Sequence, residues 1–289
     1  MSERVRRIVT ARVQDPGAIT EAAAKRVRAK SVLGDHGRAM IIAADHPARG
    51  VNAVGGDPAA MADRGELLDR LCLALERPGV TGVLGTADIL EDLLLRGVLD
   101  GKSVFGSMNR GGLAGSAFEI DDRFTGYDAE TIASLGFDGG KMLTRIALED
   151  PATAAALENS AHAIDGLNDR ALIAMVEPFL SRWDNGRVRN DLTPDAVIKS
   201  ITIASGLGRR TAYTWLKLPV VDDMPRVLAS STLPVLLLGG EVADAEAAFT
   251  AWREALAQPT VQGLVVGRSL LYPASGDVAG AVDRAVSLL

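Results

Sequence analysis

Cysteine is almost absent: Cys72 stands alone in 289 residues. One thiol cannot form a disulfide framework or a thiolate metal site within a chain. Its setting in the amphipathic run of residues 67–75 marks it as a small buried hydrophobe. Histidine is scarce too. His36, His46 and His162 are scattered without metal-ligand spacing, so neither a metal nor any other cofactor is expected. Aromatics make up 4% of the chain. The interior is therefore aliphatic, as where helices cover a parallel sheet. Apolar runs never approach the ~20 residues of a membrane span. The N-terminus carries Arg4, Arg6 and Arg7 but lacks an apolar signal core, so a cytoplasmic protein is expected. A net charge of −6 gives no footprint for nucleic acid or an anionic membrane.

What remains is a hydrophobic share of 47%, enough for one large core. Residues 1–37 read as a charged helical lead-in, broken at Asp15-Pro16-Gly17, with residues 21–30 helical. Residues 38–289 then alternate apolar strands with amphipathic helices. Strands are expected at residues 38–45, 80–85, 102–107, 138–146, 171–178, 213–221, 233–240 and 261–268. Thr193 and Pro194 mark a helix start. Two polar stretches, residues 108–125 and a segment holding Arg182, Trp183, Arg187 and Arg189, read as loops. About eight strand–helix units over ~250 residues predict an α/β fold, a single (β/α)8 TIM barrel with an N-terminal helical extension. A doubly wound open sheet fits less well, since no Gly-x-Gly-x-x-Gly follows the first strand.

Barrel chemistry gathers at the C-terminal ends of strands. Those ends carry Asp45, Lys141, Glu177, Lys217, Gly239-Gly240 and Gly267-Arg268. Lys217 sits in Tyr213-Thr214-Trp215-Leu216-Lys217-Leu218-Pro219, where alternation puts Tyr213, Trp215 and Lys217 on one face. A mid-strand lysine can be an edge residue that snorkels or a buried ion-pair partner. It can also be an amine that attacks a carbonyl as a Schiff-base nucleophile. The same parity aligns Ile41, Ala43 and Asp45; Ile173, Met175 and Glu177; and Lys141, Leu143 and Arg145. Two lysines in one mouth repel, which lowers the pKa of the more buried one. Asp45 and Glu177 are then the acid/base candidates, with Lys141 holding hydroxyls or relaying protons. Glycines after the seventh and eighth strands, with Arg268, suit a phosphate held on backbone N–H groups.

At these residues the sequence resembles class I Schiff-base aldolases of the DeoC/LacD group. The matching pieces are Ala43-Ala44-Asp45-His46, Asp138-Gly139-Gly140-Lys141, Val176-Glu177-Pro178, Leu216-Lys217-Leu218-Pro219, Leu238-Gly239-Gly240 and Val266-Gly267-Arg268-Ser269. The resemblance implies Lys217 as the imine-forming lysine and Glu177 as the principal proton-transfer residue. Asp45 and Lys141 would be their partners, and Gly239, Gly240, Gly267 and Arg268 would hold phosphate. Glu177-Pro178 looks like the tagatose-bisphosphate and sulfofructose-phosphate branch; archaeal-type fructose-bisphosphate aldolases place aromatics there. The chain also resembles an actinobacterial subgroup associated with myo-inositol breakdown. That likeness implies 5-dehydro-2-deoxy-gluconate 6-phosphate as substrate, split to dihydroxyacetone phosphate and malonate semialdehyde. Arg110, Arg123, Arg182, Arg187 and Arg189 are the loop cations expected to meet a carboxylate or second anionic group. Barrels of this group are often oligomeric, so a homo-oligomer is expected. Two other readings stand beside the aldolase: an isomerase or epimerase using Glu177 and Asp45, and a non-catalytic sugar-phosphate-binding barrel.

Overall fold

Period-two alternation in each apolar run fixes which side chains face inward, and the closed sheet follows from it. The computed structural model describes residues 3–239 and 245–289. In chain order the elements are α1 (Glu3–Gln14), α2 (Gly17–Lys25), β1 (Ala39–Ala43), a 3-10 turn (Pro47–Arg49), α3 (Arg64–Leu75), β2 (Gly82–Gly85), α4 (Ala87–Leu95), β3 (Ser103–Ser107), α5 (Ala129–Ser134), β4 (Gly139–Ile146) and α6 (Ala152–Asn168). There follow β5 (Ile173–Asp184), β6 (Arg187–Asn190), α7 (Pro194–Ser205), β7 (Thr214–Leu218), α8 (Met224–Leu228), β8 (Val235–Leu238), α9 (Ala245–Leu256), β9 (Val261–Val266), α10 (Arg268–Leu271) and α11 (Val278–Val286).

Eight parallel strands close in the order β1-β2-β3-β4-β5-β7-β8-β9, and β9 pairs back onto β1. This is the (β/α)8 barrel expected from the unit count. Inside lie Ile41, Ala43, Leu84, Phe105, Met175, Leu236 and Val265. Their neighbours Met40, Ile42, Val83, Val104, Val176, Leu216 and Leu237 point outward into the layer shared with the helices. Each such aliphatic side chain contributes about 1.5–3 kcal/mol on burial. Val32 and Leu33, just before β1, pack against the inner cluster and close the N-terminal end of the barrel.

Local signals position the helices. The Asp63 carboxylate accepts from the Glu66 N–H at 2.9 Å to start α3, and Asp128 accepts from Thr131 N–H at 2.7 Å to start α5. Thr193 caps α7 as expected, with Pro194 in its first turn.

Three segments differ from the sequence expectation. The second lead-in helix spans Gly17–Lys25 rather than residues 21–30. At Arg26 the backbone turns extended (ψ 132°), and its guanidinium donates to the Lys102 and Gly136 carbonyls at 2.8 and 2.7 Å, which draws the chain onto the barrel. The segment expected as a charged loop after the fifth strand is an antiparallel hairpin, because β5 continues outward and pairs with β6. Finally, a short helix, α10, begins at Arg268 directly after β9.

Candidate active site

The parity of β5 and β7 builds the centre of the site. Met175 and Trp215 are register partners. Two residues further on, with the same inward orientation, come Glu177 and Lys217. Lys217 Nζ donates to Glu177 Oε1 at 2.5 Å. The other carboxylate oxygen, Oε2, lies 2.5 Å from Lys141 Nζ on β4. Lys141 reaches on to Asp45 Oδ2 at 3.3 Å. Asp45, Lys141, Glu177 and Lys217 are all buried, with relative exposures of 2%, 2%, 7% and 5%. The four strand-end residues expected to converge therefore do so, as one chain of alternating charge.

Two groups complete that chain. Arg110, from the stretch after β3, pairs with Asp45 Oδ2. Its Nε donates to Ser107 Oγ at 2.7 Å, and Ser107 donates to the same Asp45 oxygen at 3.2 Å. Burial opposes ionisation of Asp45, but Arg110 and Lys141 outweigh it and hold the carboxyl well below the usual range. Glu177 follows the same logic: burial would raise it, while Lys141 and Lys217 bring it down to about 2. Lys141 is the more buried of the two lysines. Desolvation lowers it to about 8, against the pull of Asp45 and Glu177, with Arg110 and Lys217 adding repulsion.

His46 follows Asp45 directly. Its Nδ1 lies 3.9 Å from Asp45 Oδ1, beyond hydrogen-bond range, and has no other partner. Burial and the cations Arg268, Lys217 and Arg110 hold the imidazole down to about 3, despite Asp45. It is therefore neutral around pH 7.

These side chains line a cavity of about 640 Å³ at the C-terminal mouth of the barrel. One side is formed by Gly239, Gly267 and Arg268. A Cβ on Gly267 would stand 2.3 Å from the Ala43 carbonyl oxygen, and one on Gly239 would stand 2.6 Å from Val266 Cγ1. Both positions therefore demand glycine for close approach. Next to them the buried Ser269 hydroxyl has no partner, and Arg268 donates to the Ala53 carbonyl at 3.4 Å. Gly240, the fourth residue expected to hold phosphate, lies outside the described residues.

The outer side of the cavity was not anticipated as it stands. Residues 108–125 are tied down by buried arginines rather than left open. Arg49 pairs with Asp122 and donates to the Gly112 and Asn109 carbonyls at 2.7 and 2.9 Å. Arg145 pairs with Glu119 and donates to the Gly112 carbonyl at 3.3 Å. Asn109 clamps β4, donating to the Leu143 carbonyl at 2.6 Å and accepting from the Leu143 N–H at 2.8 Å. Of the loop cations expected to meet substrate, only Arg110 lines the cavity, and it is committed to Asp45. Arg123 pairs with Asp121 at the surface. Arg182, Arg187 and Arg189 lie on the hairpin, and none of them lines the cavity. Arg145 was within reach of sequence reasoning, since it shares the inward row of Lys141. Nothing local marks Arg49.

Comparison with known proteins places this architecture. The crystal structure of Cgl0159 from Corynebacterium glutamicum (Brevibacterium flavum) is 51% identical and superposes with a TM-score of 0.97, covering 100% of this chain and 97% of that one. At 20% identity, a Schiff-base-forming fructose-1,6-bisphosphate aldolase matches with a TM-score of 0.63 over 93% of this chain and 99% of its own. A fructose-bisphosphate aldolase from Slackia heliotrinireducens DSM 20476 matches at 13% identity and a TM-score of 0.61, over 94% and 88%. These two distant likenesses establish the shared fold. No curated protein matches the sequence. Residues 37–286 match the Cgl0159-like family, and the chain belongs to it.

Proposed function

We propose that the protein is a class I aldolase that makes or breaks a C–C bond of a phosphorylated ketose or keto-acid sugar through an imine on Lys217. The observation that carries this reading is the shared carboxylate: Glu177 lies 2.5 Å from both the Lys217 and Lys141 ammonium nitrogens inside a buried mouth. With Lys141 also held by Asp45, Glu177 is free to move protons for Lys217 at the cavity mouth. The shared fold with a Schiff-base-forming fructose-1,6-bisphosphate aldolase supports the same chemistry.

In this reading the unprotonated Lys217 amine adds to the substrate ketone. Glu177, in contact with the nitrogen, moves a proton to the departing hydroxyl, so that water leaves and a protonated imine forms. The imine draws electrons from the neighbouring C–C bond. As that bond breaks, the adjacent hydroxyl passes its proton to the Glu177 carboxylate and becomes the aldehyde product. The resulting enamine takes a proton back at carbon, and hydrolysis releases the ketone. Lys141, held between Glu177 and Asp45, donates to the substrate hydroxyls. Gly239, Gly267 and Arg268 would receive the phosphate.

Within that class the substrate we favour is 5-dehydro-2-deoxy-gluconate 6-phosphate, giving dihydroxyacetone phosphate and malonate semialdehyde. Borohydride treatment with dihydroxyacetone phosphate, followed by intact-mass and peptide analysis, tests the imine. A reduced adduct on Lys217 is the expected result. Absence of any adduct with dihydroxyacetone phosphate, pyruvate and acetaldehyde would overturn the aldolase reading, and an isomerase or a binding barrel would then account better for the site.

A further inference from the structure

Arg49 and Arg145 sit at the outer end of the cavity, Arg145 two inward-facing positions beyond Lys141 on β4. Their guanidinium groups are neighbours, since both donate to the Gly112 carbonyl. Each is 6% exposed, and in each the Nε–H is buried with no acceptor. An unsatisfied buried donor costs about 1–3 kcal/mol, more on a charged group. Two such donors on adjacent like charges compound the penalty. Asp122 and Glu119 each neutralise one guanidinium. Yet across the described part of the cavity wall, Arg49, Arg110, Arg145, Lys141 and Lys217 face only Asp45, Glu119, Asp122 and Glu177. With Lys217 charged, as the ammonium or as the protonated imine, one positive charge is left over before Arg268 is considered.

We infer that Arg49 and Arg145 form a second anion subsite, which takes a carboxylate at the end of the substrate remote from its phosphate. A carboxylate carries the single charge that balances the excess. Its two oxygens, in one plane, suit two adjacent guanidinium edges. A second phosphate dianion would exceed that charge. The inference rests on the aldolase reading and assigns Arg49 and Arg145 to the acid end of its substrate.

The test is aldol synthesis with dihydroxyacetone phosphate and three acceptors of similar size. Succinic semialdehyde carries a carboxylate, butyraldehyde is neutral, and glyceraldehyde 3-phosphate carries a phosphate. The native protein is expected to prefer succinic semialdehyde over butyraldehyde by about tenfold or more in kcat/KM. In the double variant Arg145→Leu/Glu119→Leu, which removes both partners and strands no charge, that ratio falls to within about threefold of unity. The ratio is the readout because it cancels any general loss of activity. Indifference of the native protein to the carboxylate, preference for glyceraldehyde 3-phosphate, or a ratio unchanged in the variant would each overturn the subsite. If the double variant does not fold, the native preference decides alone. Failure of the aldolase reading shows separately, as the absence of a borohydride adduct on the native protein.

Discussion

Lys141 meets Glu177 at 2.5 Å, although in the β4–β5 register Lys141 stands opposite Met175 and Glu177 opposite Leu143. The contact is therefore diagonal, one inward step along the sheet. It lets Glu177 keep its other oxygen for Lys217 on the far side. A carboxylate placed directly opposite Lys141 would sit one layer deeper, away from the mouth.

The nucleophile is separable from the rest of the charge network. Lys217→Met keeps the length of the side chain and leaves Glu177 paired with Lys141. The variant should fold, give no borohydride adduct, and lose about 10⁴-fold or more in kcat. Intact-mass spectrometry and a steady-state assay check both. An adduct that persists on another lysine would show that Lys217 is structural.

Lys141, held down to about 8, gives two opposite pH trends. Between about 8 and its unfolded value of 10.5, the unfolded chain binds more protons than the folded one. Stability attributable to this group therefore rises with pH across that window. Activity should fall over the same range, because the donor ammonium is lost. In Lys141→Arg the alkaline limb of kcat/KM should move upward by more than one pH unit. A limb that stays put would assign the transition to another group.

Glu177, brought down to about 2 from 4.5, works in the acid range. Its contribution is complete above about 4.5 and is lost as pH falls toward 2, since the unfolded carboxyl then binds the proton first. Glu177→Gln leaves the buried Lys217 ammonium without its carboxylate and Lys141 with Asp45 alone, and should lower stability at pH 7 by about 3–5 kcal/mol. The gap between native and variant should close as the pH drops below 4. Urea unfolding at stepped pH values reads this directly, and a gap independent of pH would refute the assignment.

The glycine-lined side makes a steric prediction. At Gly267 an alanine is penalised by crowding against β1. The added methyl meets the Ala43 carbonyl at 2.3 Å, and the backbone of β1 has to move. Gly267→Ala should cost about 1–3 kcal/mol. It should also weaken half-saturation by the phosphorylated donor more than by dihydroxyacetone. Gly239→Ala meets a side-chain methyl group of Val266 instead and should be milder. Thermal melts and KM values for the two donors separate the variants.

Period-two alternation made the inner wall legible. Trp215 and Lys217, Met175 and Glu177, and Ile41 through Asp45 fall on the faces their spacing predicts, because a strand allows two directions only. The hairpin was legible in principle and was read as a loop. Asn185 and Gly186 both take positive φ (49° and 73°), the signature of a two-residue hairpin turn, but the charged residues around them masked the strand pattern. The ordering of residues 108–125 could not be read locally. It depends on Arg49 and Arg145, which come from distant parts of the chain and meet only once the barrel has closed. The balance between the lysines was equally hidden, since the burial that singles out Lys141 is a property of the assembled mouth.

Ring closure also bears on how the chain acquires its fold. Asp45 and Lys141 are made early and Lys217 late, and the ring is sealed only when β9 returns to β1. Until β7 docks, Glu177 and Lys141 can pair, but the mouth around them stays open to water on one side. The buried charges thus enter low dielectric in the last stages of assembly, when their partners are present. A nascent chain stopped short of β7 should remain hydrated and protease-sensitive at this end. In that sense the network acts as a checkpoint on completion of the barrel.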